Sequence, residues 1–384
     1  MTDQVARAGQ AVLLPDGLYG RALEVGRRAA GVSGPNPPVG CLIVVDGAVI
    51  AEGATERAGG RHAEVVALAA AGERAKGSVA VVTLEPCTHH GRTAPCTQAL
   101  VAAGVAEVHV MLRDPDPVAA GGLSALEAAG VPAVDVGEVR PDLAAAAAHD
   151  LRGFITRVAH ARPHVTLKLA QTADGCTIPS DGRYLTGVDA RRRVHALRAD
   201  SDAVLVGGGT VRVDDPQLDV RQVPASRTPR PVLLSTHADV SSEARAVRDG
   251  AVVVHGPTAT AAALERLAAA GVRLVEAPLE STCGGIDLVA ALALLLEERI
   301  LTILAEPGLR LAGPLLDAGL VDSIELHVAG GAAAAQVHHA LPGLALLLDG
   351  STPVERIVTA DGDLILRADR PRLPHRIHLL EGAA

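Results

Sequence analysis

Along the first 150 residues, short apolar runs of strand character alternate with segments whose apolar residues recur at helical spacing. CLIVV and AVIAEG flank Asp46-Gly47, a pair that accepts positive φ at both turn positions, so the stretch predicts a β-hairpin. HAEVVALAAAG has the spacing of a helix that stops at Gly72. VAVVTLEP then reads as a buried strand, TQALVAAG as a helix, EVHVMLRDP as a strand and LSALEAAG as a helix closed by Gly130. This alternation predicts an α/β layer in which helices cover a sheet.

The stretch from Pro141 to Arg162 predicts a connecting helix, and Pro163 resets the chain before the strand HVTLKLA. Two domains follow, 1–155 and 156–384, which also suits a chain of 384 residues. The second half alternates again: the helix VDARRRVHALRA, the strands DAVLVGG, PVLLST and AVVVHG, the helix ALERLAAAG, a long helix ending near Ile300 and the strand LTILAE. VERIVTADGDLILRA predicts a closing hairpin that turns at Asp361-Gly362.

Composition changes this picture in two ways. Apolar residues make up 48% of the chain, yet there are only one Phe, two Tyr and no Trp, so the cores must be aliphatic. A net charge of -9 and so few aromatic rings argue against nucleic acid as a partner, since phosphate neutralisation needs clustered Lys and Arg and single strands need stacking surfaces. The longest apolar run, LVAALALLL at Leu288–Leu296, is far shorter than the roughly 18 to 20 residues that span a bilayer. With no apolar leader at the N-terminus, a cytoplasmic protein with a small-molecule substrate and no membrane partner is expected. Five scattered cysteines fit reduced thiols and metal ligation better than a disulfide framework.

Candidate chemistry concentrates between His62 and Cys96. His62 and Glu64 open one helix, and Cys87 and Cys96 follow the next strand in TLEPCTHHGRTAPC. Two thiolates and one imidazole leave one position of a tetrahedral zinc ion open, the mark of a catalytic rather than a structural site. Zinc lowers the pKa of its water towards neutrality, and a carboxylate nearby can carry the proton to a leaving amine. Glu64 suits that shuttle, because two residues along a helix it points about 200° away from His62 and is poorly placed to bind the same ion. An H-x-E segment followed by a P-C and a second cysteine is the arrangement of zinc deaminases, here with eight residues between the cysteines. Cys41, on a core strand, reads as a small buried hydrophobe.

These residues, with PNPPVGCLIV, HAEVVAL and DPDP, resemble the bifunctional deaminase/reductase family of riboflavin biosynthesis. The resemblance implies a cytidine-deaminase-like three-layer domain, with one Zn2+ per chain bound by His62, Cys87 and Cys96. It also implies Glu64 as the proton shuttle and Asn36 as a residue that holds the pyrimidine. His89, His90 and Arg92 then fall in the loop between two ligands. There they either face the phosphoribosyl group of the substrate, as donors to phosphate oxygens, or are solvated loop side chains.

The resemblance continues through KLAQTADG, the segment Thr186–Arg221 and EPGLRLAGPLLDAGLVD, which look like the family's dihydrofolate-reductase-like domain. Taken alone, GGGT after the strand DAVLV is a plausible phosphate-side loop, because ligands of open α/β sheets bind at strand C-termini. The resemblance implies that Ala170, Tyr184, Thr210, Asp214, Ser235 and Gly308 line an NADPH site and that Arg198, Arg221 and Glu306 contact a phosphorylated pyrimidine. Cys176, Tyr184 and Pro307 stand where the family commonly has Arg, Trp and a small residue. Two functions are therefore carried: deamination then reduction in riboflavin biosynthesis, or deamination of a related pyrimidine or pteridine-like substrate with a silent reductase half. A homo-oligomer is expected of either.

Overall fold

The computed structural model describes residues 13–90, 94–177, 184–281, 284–333, 340–341, 344 and 354–369. It divides into two compact units between Ala161 and Arg162, six residues beyond the expected boundary, because a helix runs through position 155.

The first unit holds strands β1 (Gly40–Val45), β2 (Ala48–Ala54), β3 (Val79–Val82), β4 (Glu107–Val110) and β5 (Ala133–Asp135) in the order β2-β1-β3-β4-β5. The β1/β2 and β1/β3 pairs are antiparallel, and β3, β4 and β5 run parallel. The hairpin at Asp46-Gly47 forms as the pattern predicts, with φ of 50° and 76° at the two residues. Helices α1 (Asp16–Arg27), α2 (Ala63–Ala71), α3 (Cys96–Ala102), α4 (Gly122–Ala128), α5 (Val136–Val139), α6 (Pro141–Asp150) and α7 (Arg152–His160) cover the sheet. The single connecting helix expected over Pro141–Arg162 is broken at Leu151, whose φ of -95° and ψ of 6° leave the helical run between α6 and α7.

Two glycines set the spacing of this unit. A Cβ on Gly40 would lie 2.1 Å from the carbonyl oxygen of Ala22 in α1, and a Cβ on Gly53 would lie 2.1 Å from that of Ala63 in α2. Gly53 pairs with Cys41, the neighbour of Gly40 on β1, so the two contacts face opposite sides of the sheet. Hence α1 and α2 sandwich the hairpin, and strand β1 is buried on both faces. Tyr19 of α1 is fully buried, its hydroxyl 2.8 Å from Nδ1 of His109 on β4, and Glu107 lies 3.1 Å from that ring's Nε2.

The second unit is one sheet of nine strands. These are β6 (His164–Thr172), β7 (Ala203–Gly207), β8 (Arg230–Leu234), β9 (Val252–His255), β10 (Arg273–Glu276), β11 (Thr302–Ala305), β12 (Ser323–Ala329), β13 (Val354–Val358) and β14 (Leu364–Asp369). In the order β10-β9-β8-β7-β11-β6-β12-β14-β13, the first seven run parallel and the closing β13/β14 hairpin is antiparallel. Helices α8 (Val188–Ala199), α9 (Gly208–Asp214), α10 (Ala261–Ala269), α11 (Leu288–Glu297) and α12 (Leu309–Asp317) fill the crossovers. Alternation along each strand sends its residues into two separate cores: Ala203 and Leu205 pack with α11 and α12, whereas Val204 and Val206 pack with α10. The GGGT segment, expected as a loop, is the first turn of α9, because Gly207 at the end of β7 is extended and the chain turns directly into the helix. Among the described residues no helix is long and apolar enough to cross a membrane.

The Gly53 contact joins fold to site, since α2 begins one residue after His62. Gly53→Ala is expected to push α2 off the sheet and to cost about 1–3 kcal/mol of stability. Thermal unfolding would measure that cost, and zinc affinity should fall with it; an unchanged melting temperature would contradict this account of the packing.

Candidate active sites

In the first unit three chain segments converge. His62 is the N-cap of α2, Cys87 lies beyond β3, and Cys96 is the first residue of α3. The Nδ1 of His62 is 3.3 Å from Sγ of Cys96 and 3.7 Å from Sγ of Cys87, and the three ligand atoms lie within 4.8 Å of one another. The Cys96 backbone N–H donates to Sγ of Cys87 at 3.4 Å, and the Thr97 hydroxyl donates to the Cys87 carbonyl, so the start of α3 holds one sulfur for the other. Hydrogen bonding from the Cys96 thiol, helped by His62 and against the cost of burial, brings Cys87 down to about 4. The same shared proton, with burial, pushes Cys96 up. A thiolate, a second buried thiol and an imidazole this close together suit a soft divalent cation such as zinc.

Glu64 is the second residue of α2, and its carboxyl is buried beside this trio. Burial raises its pKa above the usual carboxylate value. The cleft in front of it, about 180 Å³, is lined by Asn36, Thr55, His62, Glu64, Glu85, Cys87, His89, Asp114, Asp116, Phe154 and Arg157, together with apolar residues. Asn36 and His89 thus share the cleft with the trio, whereas His90 is exposed, 3.4 Å from Nε2 of Gln98, and is not part of the lining. Arg92 lies outside the described residues.

Three acidic residues of the lining escaped the sequence reading. Glu85 accepts the backbone N–H groups of Asp114 and Leu123, which ties the end of β3 to the DPDP turn and to α4. Asp114 is pushed up to about 7, chiefly by burial, with Asp116 and Glu85 nearby adding to the shift. The TLEP and DPDP motifs carry these carboxylates in the sequence, and the fold brings them together.

In the second unit the expected residues collect at the C-terminal ends of the parallel strands. Gly308 caps α12 after β11, and Thr210 lies in the first turn of α9 after the neighbouring β7. A Cβ on Gly308 would stand 3.7 Å from Oγ1 of Thr210, so the two helix N-termini border one space. Their unpaired N–H groups suit the diphosphate of a dinucleotide. Ser235 follows β8, its hydroxyl donating to Asp239 at 2.5 Å. Ala170 is on β6; Asp214 is exposed at the end of α9; Tyr184 is exposed, with the Arg191 guanidinium 4.7 Å from its ring.

Arg198 and Glu306 are brought together as a two-pronged ion pair, at 2.6 and 2.9 Å. Burial by itself would raise Glu306, and Arg198 with Lys168 more than offsets it, so the carboxylate sits below its usual value. Arg221 is exposed and donates to Gln217. Lys168, which the sequence reading quoted without a role, lies on β6 opposite Glu325 of β12, and the residue before it is level with Ala305, the residue before Glu306. The three strands therefore set Glu306, Lys168 and Glu325 in one row, and burial draws the Lys168 ammonium below the ordinary lysine value.

Residues 17–112 match the cytidine and deoxycytidylate deaminase zinc-binding region, and residues 163–332 match the RibD C-terminal domain. The riboflavin biosynthesis protein RibD of Escherichia coli is 40% identical over 327 residues, covering 80% of this chain and 86% of that protein. The chain belongs to the RibD family. Another family member, from Aquifex aeolicus, is 37% identical over 80% of this chain and 85% of its own length. Among solved structures, Acinetobacter baumannii RibD is 32% identical with a TM-score of 0.71, covering 92% of this chain and 98% of that one. A Thermotoga maritima diaminohydroxyphosphoribosylaminopyrimidine deaminase/5-amino-6-(5-phosphoribosylamino)uracil reductase is 29% identical, with the same TM-score and coverages. As in the RibD family, a cytidine-deaminase-like zinc-binding domain precedes a reductase domain of dihydrofolate-reductase-like fold, and the two fit Zn2+ and NADPH.

Two measurements test these sites. One zinc per chain is expected by elemental analysis, falling well below one in Cys87→Ser and Cys96→Ser and unchanged in His90→Ala. For the ion pair, a carboxylate with a lowered folded-state pKa gives stability that is whole above the unfolded value, about 4.3, and is lost as pH falls through the folded value. Glu306→Gln is expected to lose about 3 kcal/mol at pH 7 in urea unfolding, because it strands Arg198, with the gap to the parent narrowing below about pH 4. An equal gap at pH 7 and pH 3 would contradict the pairing.

Proposed function

We propose that this enzyme first deaminates 2,5-diamino-6-(5-phosphoribosylamino)pyrimidin-4(3H)-one hydrolytically and then reduces the ribosyl group of the product to ribityl with NADPH. The single observation that carries the first step is the buried Glu64 carboxyl beside the His62, Cys87 and Cys96 trio at the wall of one cleft. Zinc, when bound by these three residues, supplies a Lewis acid that makes water a nucleophile at neutral pH. Glu64 then carries a proton from the attacking water to the departing amino group, so that the C–N bond is replaced by C=O and ammonia leaves. Its raised pKa suits both halves of that transfer, since a carboxyl nearer neutrality both accepts and returns the proton readily. Asn36 and His89, in the same cleft, hold the ring and its phosphorylated sugar.

For the second step NADPH, when bound, would supply hydride for C1′ of the opened ribose, the attached nitrogen would take a proton from solvent, and the protein orients the partners. The N-termini of α9 and α12, with Thr210, Ser235 and Gly308, receive the dinucleotide, and Ala170, Tyr184 and Asp214 border it. The Arg198–Glu306 pair fixes a carboxylate that accepts from sugar hydroxyls, and Arg221 takes the phosphate. The same reading makes the protein a cytoplasmic homo-oligomer, an assembly that light scattering would read.

Mass spectrometry of the products is the decisive assay. A gain of about one dalton without NADPH reports deamination, and a further gain of about two daltons with NADPH reports reduction. Glu64→Gln is expected to keep its zinc and lose ammonia release by about 10²- to 10⁴-fold, the span of general acid–base catalysis. A full rate in that variant would remove Glu64 from the proton path.

A further inference from the structure

Helix α7 enters the sequence as a connector, yet it forms part of the deaminase cleft. Phe154 and Arg157, three residues apart and so on one face, both line it. Phe154 is buried, and the Arg157 guanidinium carbon lies 5.2 Å from its ring centroid, a stacking that fixes the plane of the donor fork. Nε of Arg157 is buried and has no hydrogen-bond partner among the described residues, and the same holds for Nδ1 of His89 in the same lining. Buried polar atoms without a partner are costly, so a ligand that accepts from both would be bound strongly.

The other charged side chains of the lining decide what that ligand is. Glu64, Glu85, Asp114 and Asp116 are carboxylates, and Arg157 is the guanidinium among the described lining residues. A phosphorylated sugar brings a dianion into an acidic cleft, where repulsion grows as water is displaced. The amino groups of a diaminopyrimidine are donors, matched to carboxylates and not to a guanidinium. We propose that Arg157, with His89, is the phosphate-binding residue of the deaminase cleft, an assignment that rests on the deaminase reading above.

The test uses the full-length, zinc-loaded enzyme and two substrates, the diaminopyrimidine ribosyl phosphate and its dephosphorylated counterpart. Arg157→Gln is expected to raise KM for the phosphorylated compound roughly ten- to a hundredfold, the worth of a charge-assisted contact, and to leave KM for the dephosphorylated one within about twofold. Arg157→Lys, which keeps the charge without the fork, should fall between. An unchanged KM for the phosphorylated substrate overturns the assignment, and so does an equal rise for both substrates, which would make Arg157 a support of the ring or the fold. If the parent enzyme releases no ammonia from either compound, the deaminase reading itself has failed. Calorimetric titration with ribose 5-phosphate then still decides, since Arg157→Gln must bind one equivalent fewer than the parent, and equal stoichiometry overturns the proposal.

Discussion

Two sulfurs and an imidazole can be packed together under an apolar layer only if something answers the negative charge they carry. The Cys96 thiol and His62 answer it first, and to these is added the first turn of α3. Its Cys96 N–H points at the Cys87 sulfur, and the helix begins there because Pro95 sets an extended residue in front of it. From this one contact the rest of the deaminase unit follows. Cys87 must follow β3, His62 must cap α2 opposite, and α2 must approach the sheet closely enough for its cap to reach, which is why β2 carries a glycine under it. A zinc ion strengthens an arrangement that the backbone has already aimed.

How much of this was legible in the sequence depends on range. The hairpins at Asp46-Gly47 and Asp361-Gly362 were readable because turn chemistry is local, and so were the helices closed by Gly72 and Gly130. The meeting of His62, Cys87 and Cys96, with Glu64 beside them, was readable because donor types at helix and strand ends carry their own chemistry. Short elements such as β5 and α5, and the break at Leu151, were not, since three or four residues hold no periodicity and the break falls just past the run Ala144–Ala148, whose helical propensity masks it. GGGT misled for a related reason: glycines favour a loop locally, and the turn from β7 into α9 is imposed by the parallel sheet around it.

The cleft acids and the buried row of the reductase unit show the other limit. Glu85 and Asp114 are far apart in sequence and meet through a backbone hydrogen bond, and Lys168 finds Glu306 and Glu325 only once β6 is inserted between β11 and β12. Strand order is not written in any local pattern, so charges that it aligns stay invisible until the topology is known. The Arg198–Glu306 pair belongs to the same class, joining a helix after β6 to the end of β11.

Building both cores from Ala, Val, Leu and Ile has an optical consequence. With no Trp and two Tyr, ultraviolet emission of the folded chain comes from one ring in each unit. Tyr19 is sealed beneath α1 and bonded to His109, so its emission follows the melting of the deaminase core. Tyr184 stands exposed, stacked under Arg191, and its signal belongs to the reductase unit alone. Each half therefore carries one tyrosine of its own, sealed in the first and open to solvent in the second.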